Sequence, residues 1–139
     1  MLYPMFAMIL LTFTVGGYLL KLRIAAIKSG AVKLSAFRLN NTEEVPVNML
    51  QAARNYTNLF EIPMLFYAAG TLALALQIDS PSIIFLGWLF VLSRAIHSWI
   101  HLTSNHVIRR LQAFMAGNIC VLLIWVILVW QYTTHSTNH

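Results

Sequence analysis

"QAARNYTNLFEIPMLFYAAGTLALALQI", residues 51–78, joins two unlike halves. The second half, Ile62 to Ile78, carries no charge. The first carries Gln51, Arg54, Asn58 and Glu61 at steps of three, four and three. On a helix those steps return to one face. A bilayer core of about 30 Å needs roughly 20 helical residues to cross it. The apolar half alone is too short, so a span here must take Glu61 and part of the polar stripe into the membrane.

The rest of the chain supports that reading. Residues 1–20 carry no charge and are mostly apolar. Pro81 to Ser93 is a second such run, and it continues past Arg94 to about Leu102. Leu111 to Tyr132 is a third. The 139 residues are 59% hydrophobic and only 9% charged, against roughly 25% charged in a soluble domain. A soluble core of this length cannot absorb so much apolar surface. The expected fold is all-α: an integral membrane four-helix bundle, one domain over residues 1–139, without internal repeats.

Helix one is expected from about Leu2 to Ile27, with Val15 to Gly17 allowing close helix approach. A polar loop follows. Thr42, Glu43, Glu44 and Pro46 mark the start of helix two, which should run from about Pro46 to Leu76. Pro63 should bend that helix rather than end it. "DSPS", residues 79–82, reads as a tight turn into helix three, and "TSNH", residues 103–106, separates helices three and four. The single cysteine, Cys120, falls in the fourth span and reads as small apolar filler.

The net charge of +5 is a matter of topology, not of nucleic-acid binding. Lys21, Arg23, Lys28, Lys33 and Arg38 lie in or border the first loop. Arg109 and Arg110 open the fourth span, and Arg54 and Arg94 lie in the halves of spans two and three nearest those loops. The outer connection and the C-terminal tail have no Lys or Arg. The positive-inside rule puts both loops in the cytoplasm and both termini outside. The first apolar run lacks a basic segment before it and reads as an anchor, not a cleaved signal.

Glu61 lies about 27 Å from the outer end of its helix at 1.5 Å per residue, and Arg94 about 21 Å. Helix three has its own stripe of Arg94, His97, Ser98 and His101, and helix four carries Arg109, Arg110, Gln112 and Asn118. Ionisable groups at such depth face a partner or a wet cavity. One reading is a structural ion pair of Glu61 with Arg94 or Arg54. The other is a polar cavity for an anionic ligand. Several arginines and two histidines against one glutamate favour the second. His97 and His101, at i and i+4, also invite a metal. Two ligands on one helix do not make a site, and nearby arginines repel cations, so no metal is expected.

"RNYTNLFEIP", residues 54–63, resembles the signature of the MAPEG family, membrane-associated proteins in eicosanoid and glutathione metabolism. Arg54, Asn58, Glu61 and Pro63 carry the resemblance. "SRAIHSWIH", residues 93–101, and the following "IRR", residues 108–110, resemble the family's third-helix Arg and the Arg that opens helix four. Four spans and a long basic first loop complete it. The resemblance implies a homotrimer with glutathione bound between subunits near the cytoplasmic face. It implies a transferase or peroxidase acting on a lipophilic electrophile that enters from the bilayer lipids. Arg54, Asn58 and Glu61 would hold the glutathione backbone, with Glu61 at its α-amino group and Arg94 at a carboxylate. Arg109 or Arg110 would sit near the thiol as the catalytic cation. Gln51, His97, His101 and Arg38 join the implied binding set. Eicosanoid enzymes often carry Tyr where this chain has His97 and His101, and some where it has Phe114. The family also has a non-catalytic lipid-presenting member, so the alternative is a lipid-binding or partner-presenting protein of the same fold. The short loops suit a bacterial inner membrane.

Overall fold

Long apolar runs without a solvated partner fold as helices, because in lipid each backbone N–H and C=O must be satisfied within its own segment. The computed structural model describes residues 1–32 and 45–136. Among these lie helices α1 (Leu2–Lys28), α2 (Val47–Asn58), α3 (Ile62–Ala75), α4 (Pro81–Leu102) and α5 (Val107–Ser136). Four segments among the described residues are long and apolar enough to span a membrane: Leu2–Lys28, Val47–Ala75, Pro81–Leu102 and Val107–Thr134. The all-helical, four-span reading is therefore correct. Even the polar side chains of α1 turn inward on the backbone: the Thr12 and Thr14 hydroxyls donate to Met8 O at 3.0 Å and Leu10 O at 2.8 Å.

The second span differs from expectation. Pro63 does not merely bend one helix. α2 stops at Asn58, a turn occupies residues 59–61, and α3 restarts with Pro63 in its first turn. The physical reason is local. Proline offers no N–H to Leu59 O, and its ring crowds that carbonyl. The chain tightens instead, with Leu59 N donating to Tyr56 O at 3.1 Å and Phe60 N to Thr57 O at 2.9 Å. At the start of this span Pro46 stands at the N-cap; Thr42, Glu43 and Glu44 lie outside the described residues.

α4 packs chiefly on α5, and α1 on α2. The main core joins Met8, Phe66, Phe90, Ile83, Ile124 and their neighbours, with the Phe66 and Phe90 rings 4.5 Å apart. Cys120 belongs to this core as filler. A smaller cluster of Leu19, Ala26, Val32, Met49 and Ala52 ties α1 to α2. α4 and α5 approach closely at Gly117: a Cβ there would stand 2.7 Å from Ser93 Oγ. The Val15–Gly17 expectation is met in part. Gly16 lies against Tyr56, where a Cβ would meet the ring at 2.9 Å, whereas Gly17 faces open space.

Candidate functional site

The buried face of α4 changes character along its length. From its N-terminal end it presents Ile83, Gly87 and Phe90, then Ser93, Arg94, His97, Ser98 and His101. The polar stripe of helix three is thus the face turned into the bundle. Arg94 is fully buried, and His97, Ser98 and His101 are nearly so.

The broken second span explains how Arg94 is held. The turn at residues 59–61 leaves Asn58 O without a helical donor. Arg94 Nη2 donates to it at 3.0 Å and to Asn58 Oδ1 at 2.8 Å. Asn58 Nδ2 in turn donates to Glu61 Oε2 at 3.3 Å. Glu61 and Arg94 therefore communicate through Asn58 and not through a direct ion pair. The Phe114 ring of α5 stands 5.7 Å from the Arg94 guanidinium carbon and 5.9 Å from the His97 ring. Phe114 thus places an apolar wall beside both side chains.

Arg110 closes the layer at the junction of α4 and α5. Its Nη1 donates to Asn105 Oδ1 at 2.7 Å and to His101 Nε2 at 3.3 Å. Its carbonyl accepts from His97 Nδ1 at 3.1 Å. Arg109, its neighbour, is exposed. Of the remaining sequence candidates, Arg54 and Glu61 are exposed and Gln51 is half-buried. The buried face of α2 is Met49, Ala52 and Asn55, so the Gln51–Arg54–Asn58–Glu61 stripe runs along the flank of the subunit, with Asn58 at the margin. Arg38 lies outside the described residues.

Two residues of the layer were not singled out from sequence. Asn55 is fully buried and accepts from Ser98 Oγ at 3.2 Å. It sits four residues after Gln51, a helical step, but its inward direction is set by packing on α4. Asn105 is the second; the signal was an Asn in the short turn between two helices, where left-handed backbone is common.

The layer is rich in unsatisfied polar atoms. Arg94 Nε and Nη1, Asn55 Nδ2, His97 Nε2 and His101 Nδ1 are buried without a hydrogen-bond partner. Buried polar groups normally find one. The layer holds two guanidinium groups, Arg94 and Arg110, while the one flanking carboxylate, Glu61, is bonded only by Asn58, so the arrangement suits an anionic group. No cluster of three or more His, Cys, Asp or Glu side chains among the described residues is placed for a metal. Away from this layer, a groove of about 720 Å³ runs between α1 and α2–α3, lined by Phe13, Gly16, Gly17, Tyr56, Phe60 and Met64 among others.

The profile of the MAPEG family matches residues 1–130, nearly the whole chain. This chain belongs to the MAPEG family. The family includes glutathione transferases and peroxidases as well as other members. Comparison with curated proteins and with solved structures gives no match. Within this MAPEG chain, the signature residues Asn58, Glu61 and Pro63 sit together at the break in the second span, and Arg94 reaches them from α4.

Proposed function

We propose that the protein is a membrane-bound glutathione-dependent transferase or peroxidase acting on lipophilic electrophiles. One observation carries the reading beyond family membership: Arg94 is fully buried at membrane depth, keeps two N–H groups unpartnered and has no carboxylate bonded to it. A buried cation left in that state is costly. A ligand carboxylate would complete it.

Glutathione has two carboxylates, one ammonium and one thiol. Arg94 and Arg54 suit the carboxylates, since guanidinium grips them in bidentate fashion. Glu61, exposed and one hydrogen bond from Asn58, suits the ammonium. Arg110 is drawn inward by Asn105 and His101, which makes it a better partner for the sulfur than the exposed Arg109. When bound, glutathione supplies the sulfur nucleophile. A guanidinium near that sulfur favours the thiolate, each pKa unit amounting to about 1.4 kcal/mol. No strong general base is then required. The exposed flank of α2 supports a homotrimer with the ligand shared between subunits, near the cytoplasmic face of what we read as a bacterial inner membrane. A C-terminal reporter that is active only on the cytoplasmic side would overturn that orientation.

The groove between α1 and α2–α3 favours a second reading, a lipid-binding protein without catalysis. Calorimetric titration of the detergent-purified protein with glutathione, followed by ultraviolet absorbance of the bound thiolate, separates the two. The enzyme reading expects saturable binding and a thiolate band. Retention of lipid with no glutathione binding would replace it by the second.

A further inference from the structure

Asn105 has a left-handed backbone, with φ 47°, a conformation Asn adopts more readily than most side chains. Its amide donates to Ile100 O at 2.7 Å and closes the end of α4. Its side chain has a separate contact, the 2.7 Å bond from Arg110 Nη1. That same nitrogen donates to His101 Nε2 at 3.3 Å.

These contacts assign protons. A guanidinium only donates and a carbonyl only accepts. His101 Nε2 faces Arg110 Nη1, so it must be the bare nitrogen, and the proton sits on Nδ1. His97 Nδ1 faces Arg110 O at 3.1 Å, so it must carry the proton. His97 Nε2 has no acceptor within reach, so with the proton on Nδ1 it keeps a free lone pair. The tautomers are assigned from hydrogen-bond partners. The free atoms are then opposite in kind: His101 offers a buried N–H, and His97 offers a buried acceptor.

We propose that Asn105 is a positioning residue: it aims the Arg110 guanidinium so that His101 is held as the neutral Nδ1–H tautomer and presents a donor to the site, beside the acceptor that His97 presents. His97 is fixed by the backbone of Arg110 and His101 by its side chain, so only His101 depends on Asn105. The layer then displays one acceptor, His97 Nε2, among donors from Arg94, Asn55 and His101. A thiol matches that display, with an S–H to give and sulfur lone pairs to receive. The thiol assignment rests on the function proposed above; the tautomer assignment does not.

The test is solution or solid-state NMR of the full-length protein with ¹⁵N-labelled histidine, without glutathione, on the wild type, Asn105→Gly and Asn105→Asp. Glycine keeps the left-handed backbone and removes only the side-chain bond; aspartate keeps the acceptor oxygen. Wild type should show both rings as Nδ1–H. Asn105→Gly should move His101 toward the other tautomer and spare His97, and Asn105→Asp should restore His101. Glutathione affinity, read separately by calorimetry, should fall about tenfold in Asn105→Gly, the scale of one charge-assisted bond. A wild-type His101 protonated on Nε2 would overturn the proposal. So would an Asn105→Gly variant that moves both rings, which marks general loosening of the corner, or one that moves neither. Absence of any glutathione binding by the wild type would remove the proposed function, while the tautomer result would still decide the role of Asn105.

Discussion

Arg94 shows how one side chain separates a structural from a ligand role. It touches Asn58 twice and Phe114 by its face, and it has no contact with water. Removing a buried charge that no carboxylate pairs relieves a desolvation cost of several kcal/mol, against about 1–3 kcal/mol for the Asn58 oxygens left without a donor. Arg94→Met should therefore leave the melting temperature near or above that of the wild type while glutathione binding is lost. Glu61 is exposed and accepts a single hydrogen bond, from Asn58. Glu61→Gln keeps the shape and removes the charge, and a charge-assisted bond contributes roughly 1.5 to 3 kcal/mol. Its glutathione affinity should fall about ten- to a hundredfold, with little change in melting temperature. Calorimetry and thermal melts on both variants check this. Intact affinity with a large drop in melting temperature would make Arg94, Asn58 and Glu61 a helix lock. Glu61, Asn58 and Arg94 were legible in the sequence, because ionisable residues at membrane depth stand out against apolar neighbours. Asn55 and Asn105 were not, because their roles come from the direction a side chain takes once the helices have packed.

At the scale of elements, composition alone made the spans legible, since length and lack of charge are local properties. The break at residues 59–61 was not. Whether Pro63 bends or ends a helix depends on who takes the carbonyls that the break strands, and the taker of Asn58 O, Arg94, comes from α4, 36 residues beyond it. Pro63→Ala removes the cause of the break. A continuous helix would reclaim Asn58 O, and Arg94 would lose one of its bonds. Glutathione affinity should drop by about tenfold, and hydrogen exchange across residues 59–63 should slow as amides there gain helical partners. Unchanged exchange would show that the turn is held by tertiary contacts instead. The α4–α5 contact is open to a similar test. Gly117→Ala places a Cβ 2.7 Å from Ser93 Oγ, and overpacking of this kind costs typically 1–3 kcal/mol. Ser93 Oγ donates to Phe90 O at 2.7 Å within its own helix, so Ser93→Ala alone should be mild. The double variant should recover most of the stability lost in Gly117→Ala, as read by thermal melts. Additive losses would place the strain elsewhere.

For the whole molecule, the outer surface of one subunit is a belt of Leu, Ile, Val and Phe with many members well exposed, as lipid contact requires. The flank of the second span departs from that belt, because Arg54 and Glu61 are exposed within a segment that crosses the membrane. A charged side chain at the bilayer centre costs about 2.5–3.5 kcal/mol on insertion scales, less toward the interface. Among the described residues only Asn58 bonds the Glu61 carboxylate, and the Arg54 guanidinium has no hydrogen bond or ion pair. One subunit alone thus leaves Glu61 facing acyl chains near the edge of the core, with Arg54 about 10 Å further out toward the headgroups. Packing that flank against a second copy removes lipid from it, and a ring of copies removes it from every flank without leaving an open edge. In the proposed homotrimer the number three comes from the family resemblance, and the polar flank with Glu61 is what supports closure. Native mass spectrometry from mild detergent should give a species of three chains. Arg54→Leu with Glu61→Leu should weaken the polar lining without exposing charge, so that monomers appear and remain helical by circular dichroism. A wild type that is a stable, folded monomer under the same conditions would mean that lipid headgroups or water already satisfy Arg54 and Glu61, and the shared site would lose its second wall.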